Sequence, residues 1–363
     1  MKPTGLASGE RRSGGGRSSA RKGRASRRLR RASREAFARF QRFVDQGGKF
    51  RVGVINACNL DCFFCHNEAM PNPRRLGKAA GRVRLPLEEL AKMSSAYAAL
   101  GGPQINVTGG EPLAQSQLFE FLDAIDEQGA RIVLNTNAVL AERLLSRPKV
   151  KKITGILASV HTTSDKIFRE QLGGSSAQEV LRNVVALDRH GYAVELNYSL
   201  GPYNQDEFEE VLEFAVAKGL NLKAIALVRP HEGADFYGGE WVDPRWLEGI
   251  LAAKGARERG RSSKLGGTTT TYDLRGTQVK VKNVARGRLR TDFCRACPHE
   301  SACGEGIYGL RVGVDGFFKP CLLRKDRFSP IDPERSYEEQ LLEQIGAMVG
   351  DWSRAEFVGG APA

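Results

Sequence analysis

The sequence predicts an α/β protein built on a parallel sheet, either an open barrel or a doubly wound sheet. Three observations carry this. Short β-branched runs alternate with amphipathic helical stretches from residue 50 to about residue 230. A cysteine-bearing loop follows the first of those runs, and the pattern changes after residue 240.

Six strands are expected, at 51–56, 104–108, 131–135, 153–160, 192–199 and 222–228. The first lies in the run Phe50–Ile55, which reads as a short buried strand. Helices are expected between the strands, near 87–100, 116–128, 139–146, 165–189 and 206–219. The last shows its buried face plainly, with Phe208, Val211, Leu212, Phe214 and Ala215 at helical spacing. Six β–α repeats imply right-handed crossovers, and hence parallel strands. Farther on, the stretch 255–268 is rich in Gly, Arg, Lys and Ser and reads as a loop. Thr268–Tyr272 and Gln278–Val281 alternate like strands around Asp273-Leu274-Arg275-Gly276, which predicts a hairpin. A Glu-rich helix is expected near 336–349, and a domain boundary close to residue 240.

Composition is that of an ordinary soluble globular protein, with 41% apolar and 27% charged residues in 363. No run approaches the roughly 20 apolar residues of a membrane helix. The basic start does not lead into an apolar signal core, so a cytoplasmic location with no membrane partner is expected. The net charge of +13 invites a nucleic-acid partner, but its distribution disfavours one. Residues 1–35 hold twelve Lys/Arg against Glu10 and Glu35, so they supply +10 and leave only +3 for the rest. That Arg/Ser/Gly-rich segment is predicted to be a disordered tail.

Seven cysteines fall into two groups, Cys58, Cys62 and Cys65, then Cys294, Cys297, Cys303 and Cys321. An odd count without a leader argues for metal ligation over a disulfide framework. Three thiolates in C-x3-C-x2-C spacing can wrap three irons of a cubane cluster and leave the fourth open to a chelating ligand. Structural zinc usually takes four ligands in paired C-x2-C arrangements, and His66 directly follows Cys65, a strained place for a fourth ligand. The loop also sits at the C-terminal end of a strand, where catalytic loops of parallel α/β barrels lie.

Cys58-Asn-Leu-Asp-Cys62-Phe-Phe-Cys65, followed by Thr108-Gly109-Gly110-Glu111-Pro112 after the second strand, resembles the radical S-adenosylmethionine (SAM) superfamily. The resemblance implies a partial (β/α)6 TIM-like barrel with a smaller C-terminal iron–sulfur domain. It implies a 4Fe-4S cluster on Cys58, Cys62 and Cys65 that binds SAM and cleaves it to a 5′-deoxyadenosyl radical. SAM contacts are expected from Gly109, Gly110, Glu111, Thr136, Asn137 and Ser159. Gly109 and Gly110 would let the backbone approach the methionine moiety, and Glu111 would accept its ammonium hydrogens. A flavodoxin or ferredoxin would supply the electron.

Within the superfamily the chain is most similar to the GTP 3′,8-cyclases of molybdenum cofactor biosynthesis, over most of residues 50–330. The supporting stretches are Cys65-His66-Asn67-Glu68, Ser159-Val-His-Thr-Thr, Phe236-Tyr-Gly-Gly-Glu240 and Asp315-Gly-Phe-Phe-Lys-Pro-Cys321-Leu-Leu-Arg324. Three C-terminal cysteines of that family hold an auxiliary 4Fe-4S cluster with an open iron, and Cys294, Cys297 and Cys321 match them. Expected domains are a tail at 1–36, the barrel at 37–240, the auxiliary-cluster domain at 241–335, and a helix and tail at 336–363. Departures bear on the substrate. Cys303 is an extra ligand able to close the auxiliary cluster, and Gly309 stands where the family has an arginine, although Arg311 and Arg51 match. Two basic positions are Gln104 and Asn106, and a lysine on strand five is Glu195.

A triphosphate needs clustered cations. Their loss makes a nucleoside, a less phosphorylated nucleotide or a sugar derivative of specialised metabolism the expected substrate. A divergent GTP 3′,8-cyclase, a peptide-modifying radical SAM enzyme, and a zinc-stabilised RNA-binding module without activity are the alternatives. Candidate substrate contacts are Arg51, Asn197, Arg229, His231 and Arg311, with Glu232, His161 and Tyr198 placed nearby by position alone.

Overall fold

The structure, a computed structural model, describes residues 34–71, 84–227, 242–295, 297–298, 303, 305–350 and 356–358. Strands β1 (Lys49–Gly53), β2 (Gln104–Thr108), β3 (Arg131–Thr136), β4 (Ile153–Ser159), β5 (Val194–Leu200) and β6 (Asn221–Ala226) lie side by side in chain order. Every neighbouring pair among them is parallel. The six predicted strands are therefore present, each displaced by no more than three residues at an end.

The sheet continues past both ends of this set. From the C-terminal half, β9 (Thr277–Asn283) pairs parallel with β6, and β11 (Gly309–Gly313) pairs parallel with β1. Beyond β9 come the antiparallel β8 (Gly267–Leu274) and β7 (Arg257–Lys264). β11 and β7 are the two free edges, so the sheet is a partial barrel that does not close. Two small ribbons stand apart: β10 (Arg288–Arg290) with β14 (Glu356–Val358), and β12 (Phe317–Phe318) with β13 (Ser329–Pro330).

Helices α1 (Leu87–Ala99), α2 (Leu118–Asp123), α3 (Glu142–Leu145), α4 (Asp165–Leu172), α5 (Ala177–Arg189) and α6 (Phe208–Lys218) connect the parallel strands. α7 (Arg245–Ala253) and α8 (Tyr337–Val349) follow, the latter where the Glu-rich helix was expected. On α6, Phe208, Val211, Leu212 and Ala215 are buried as the periodicity predicted. Residues 34–45 are also helical, and Phe40 stacks edge-on against Tyr97, which in turn lies flat on Phe50 at 4.5 Å. No helix among the described residues is long and apolar enough to cross a membrane.

Three local expectations are corrected. The loop at 255–268 is mostly strand β7, every residue of which is exposed. Its Arg and Lys side chains concealed it, since charges commonly decorate an edge strand and erase the apolar alternation. The single helix at 165–189 is two, parted at Gly173, which closes α4 in the left-handed conformation at φ 70°. The helix at 116–128 is only α2, short of the turn where Gln128 and Gly129 both take positive φ. The hairpin is present between β8 and β9, with Arg275 and Gly276 both at positive φ, the turn that two-residue hairpins prefer. The tail at 1–33 lies outside the described residues.

Candidate active site

The Cys58–Cys65 loop leaves the top of β1 and is held against the Gly109–Pro112 loop that leaves β2. Gly110 N donates to Ile55 O at 2.7 Å and Glu111 N to Ala57 O at 3.0 Å. A Cβ on Gly110 would lie 2.0 Å from Ala57 O, and one on Gly109, at φ 142°, would lie 2.3 Å from Ile55 O. The crowding these glycines relieve within the chain is thus with the cysteine loop itself.

The three thiols share one electrostatic environment. Burial pushes the Cys62 thiol well up, and the neighbouring Cys65 and Cys58 push it further. Cys58 Sγ accepts from Leu60 N at 3.4 Å and from Asn137 Nδ2 at 3.7 Å. Such amide donors commonly steady a cluster thiolate. The set can hold a four-iron cluster with one iron open.

Glu111 is buried, 1% exposed, and its carboxylate is oriented by the chain. Oε1 accepts from Leu113 N at 2.9 Å and Thr136 Oγ1 at 2.7 Å, and Oε2 from Asn137 N at 2.8 Å. Burial raises its pKa to about 7 against the pull of these donors. On β3, Asn135 Oδ1 is buried with no hydrogen-bond partner among the described residues. Ser159 ends β4 in register with Asn197 of β5. An oriented carboxylate and an orphaned acceptor beside the cysteine loop fit a small polar cofactor such as SAM.

Inside the barrel the charges form a second set. Arg51 Nε reaches both oxygens of Glu68, at 3.1 and 3.0 Å. Arg311, 1% exposed on β11, gives Nε to Glu68 at 3.1 Å and Nη2 to Glu305 at 2.5 Å and Tyr308 Oη at 3.0 Å. Burial alone would raise the Glu68 pKa, but Arg51, His66 and Arg311 hold it well below the usual carboxylate range. Asn67, Glu68 and Ala69 take φ of 47°, 51° and 58°, a left-handed run that only surrounding contacts can sustain.

Lys49 shares the face of Arg51 on β1, and Lys223 of β6 stands in register with Asn197 and Lys280. Lys280 pairs with Glu195 at 2.8 Å, and Lys282 lies over the Tyr308 ring at 4.2 Å. Burial, then repulsion from Lys282, lowers the Lys223 pKa to about 7. Sequence reasoning missed Lys223, Lys280 and Lys282. The alternation Lys280-Val281-Lys282 was visible, but not that β9 joins the sheet beside β6.

The second cysteine group converges. Cys294, Cys297, Cys303 and Cys321 line one pocket together with Phe293, Ile307 and Arg324. Burial pushes the Cys321 thiol up to about 12. His161, by contrast, is a core group, its Nδ1 accepting from Ser199 N at 3.1 Å. Tyr198 is buried and donates to Asn204 O. Arg229, His231, Glu232 and residues 236–240 lie outside the described residues.

Residues 52–215 match the family model of the radical SAM superfamily. The probable GTP 3′,8-cyclase of Methanococcus vannielii is 26% identical over 82% of this chain and 93% of its own. That of Archaeoglobus fulgidus is 28% identical over 76% of this chain and 86% of its own. Among solved structures, Streptococcus suis SuiB bound to S-adenosylmethionine superposes with a TM-score of 0.56. At 13% identity, over 84% of this chain and 68% of that one, it shares the fold alone. With the cysteine loop, the Gly-Gly-Glu-Pro loop and the partial barrel in place, residues 52–215 form a radical SAM domain, and the chain is a SAM-dependent enzyme similar to GTP 3′,8-cyclases.

Proposed function

We propose that the enzyme is of the GTP 3′,8-cyclase type, binding GTP in the barrel interior beside SAM. One observation carries the choice of a polyanionic substrate: Lys223, partly buried, makes no ion pair or hydrogen bond among the described residues. Lys282 and Lys49 act electrostatically on Lys223, and Lys280 stands in register beside it. These lysines come from β1, β6 and β9, and they stand in for the cations absent at Gln104 and Asn106. Glu195, which would repel phosphate if bare, is neutralised by Lys280. The similarity to cyclases supports the same reading over the less phosphorylated substrate that the sequence alone favoured.

Cys58, Cys62 and Cys65 would hold the SAM-binding cluster, which with SAM supplies the 5′-deoxyadenosyl radical that takes a hydrogen atom from the substrate. Glu111, fixed by Leu113, Thr136 and Asn137, keeps lone pairs for the SAM ammonium, since a carboxylate offers about four such sites. Asn137 ties that contact to Cys58. Asn135, whose Oδ1 is buried without a partner among the described residues, and Ser159 would serve the remaining polar groups. The radical requires that water be kept from the barrel interior. An electron donor of the flavodoxin or ferredoxin type and a second cluster on the C-terminal cysteines complete the proposal.

The test is anaerobic 5′-deoxyadenosine formation by reconstituted protein with SAM and dithionite, with and without GTP. A clear rise with GTP, and a cyclised product, is the expected outcome. Background cleavage that GTP does not change, but guanosine or GMP raises, would overturn the triphosphate assignment.

A further inference from the structure

Lys282 is held in the barrel by an aromatic ring rather than by a carboxylate. Its Nζ lies 4.2 Å from the centroid of the Tyr308 ring, and among the described residues it makes no ion pair or hydrogen bond. On β9, two residues beyond Lys280, it stands in register with Ile225. That is about 7 Å nearer than Lys280 to the end of the sheet that carries the cysteine loop. Tyr308 is itself fixed from several sides. Its backbone O accepts from Lys49 N at 2.7 Å, and its Oη accepts from Arg311 Nη2 at 3.0 Å. The Arg311 guanidinium lies 5.1 Å from the same ring centroid and is pinned by Glu68 and Glu305. Gly266, in the turn between β7 and β8, closes over the pair: a Cβ there would stand 3.0 Å from both Lys282 Nζ and Tyr308 Cβ.

We propose that Tyr308 is a positioning residue of the substrate site, its ring holding the Lys282 ammonium toward the phosphate chain of the nucleotide. This rests on the reading that a nucleotide binds in the barrel. An ammonium on a flexible four-carbon stem needs a partner to keep one direction. A carboxylate supplies one, but its negative charge opposes an incoming phosphate and must be shared with it, as Glu195 is for Lys280. An aromatic face attracts the ammonium through its quadrupole and carries no net charge. A lysine so held keeps its full charge and its three N–H donors for the ligand. Tyr308 acts through Lys282, and its hydroxyl serves to fix the ring against Arg311.

The experiment titrates the reconstituted full chain with GTP by anaerobic calorimetry in the presence of SAM, and measures KM and kcat. Tyr308→Leu should weaken GTP binding and raise KM by about tenfold, the loss expected of one desolvated cation–π contact, with kcat within about threefold of wild type. Tyr308→Phe should stay within about twofold in each, because the ring remains and Arg311 keeps Glu68 and Glu305. Lys282→Met should lose at least as much affinity as Tyr308→Leu, and adding Tyr308→Leu to it should cost less than about twofold more. Should Tyr308→Leu fail to fold, Gly266→Ala, whose Cβ displaces Lys282 from the ring, carries the same expectations. Losses that multiply in the double variant would overturn the proposal, since Tyr308 would then act apart from Lys282. A Phe variant as weak as the Leu variant, or a Leu variant that lowers kcat with KM unchanged, would overturn it too. A wild type that binds no GTP would instead remove the nucleotide reading on which the role of the pair rests, a separate failure.

Discussion

Replacing Glu68 by Gln keeps the shape of the side chain and removes its charge, where two guanidinium groups depend on it. The Glu68 side chain is 5% exposed, that of Arg311 2% and that of Arg51 17%. Breaking a buried pair by neutralising one partner costs about 3–5 kcal/mol, because the other charge stays buried without compensation. Arg311 keeps Glu305, so the lower end, about 3 kcal/mol, is the expected loss. With an unfolding entropy of about 2 cal/mol/K per residue over 363 residues, that lowers Tm by about 4 °C. The sign with pH follows from the depressed Glu68 pKa. The carboxylate stabilises fully above its unfolded value of about 4.3, and the stabilisation fades as pH falls toward the folded value. Urea unfolding followed by circular dichroism should therefore show a gap between wild type and Glu68→Gln at pH 7 that narrows below about pH 4. A variant within about 0.5 kcal/mol of wild type at pH 7, or a gap that stays constant into acid, would refute the network as a source of stability.

Gly110→Ala should empty the first cluster site. The new Cβ would stand 2.0 Å from Ala57 O, so the cysteine loop must retreat by about 1 Å, a shift that commonly costs about a hundredfold in activity. Iron analysis should show loss from the first group and retention in the second; full iron content with normal SAM cleavage would contradict the packing argument. For Lys223, a bound polyanion should raise the pKa from about 7 toward its ordinary value, so binding takes up a proton above neutrality. GTP affinity should then weaken by up to about tenfold per pH unit above about pH 7.5, and Lys223→Gln should bind weakly with a flat profile, both read by calorimetry. A steep pH dependence surviving in Lys223→Gln would assign the proton elsewhere.

What the sequence made legible was local. The cysteine spacings, the Gly-Gly-Glu-Pro run and the six parallel strands each depend on neighbours within a dozen residues, and all were recoverable. What it hid was long-range. Arg311 and Glu68 meet across 243 residues, and nothing in either neighbourhood announces the other. β9 could be read as a strand, but its insertion beside β6 depends on how the C-terminal half returns to the sheet, and that step turns Lys280 and Lys282 into barrel residues. β7 was hidden by composition, since its exposure left no apolar alternation to read. Gly173 was a different miss, because the Gly-Gly-Ser-Ser run that parts α4 from α5 stood in plain view.

The division between arginines and lysines in the barrel has a chemical reason. A guanidinium keeps its proton at any ordinary pH, so an arginine in a desolvated interior must always have a carboxylate or another acceptor in place. Arg51 and Arg311 obey this through Glu68 and Glu305, and their hydrogen bonds are spent on the protein. An amine can shed its proton when burial and neighbouring cations make the charge expensive, as at Lys223. A lysine can therefore wait neutral in an empty site and become charged when a phosphate arrives, whereas an arginine would demand a permanent acid that competes with the substrate. On this argument the arginines hold the Glu68 segment and the cysteine loop above it in place. The lysines, which came from strands the motif does not include, are the groups free to choose the substrate.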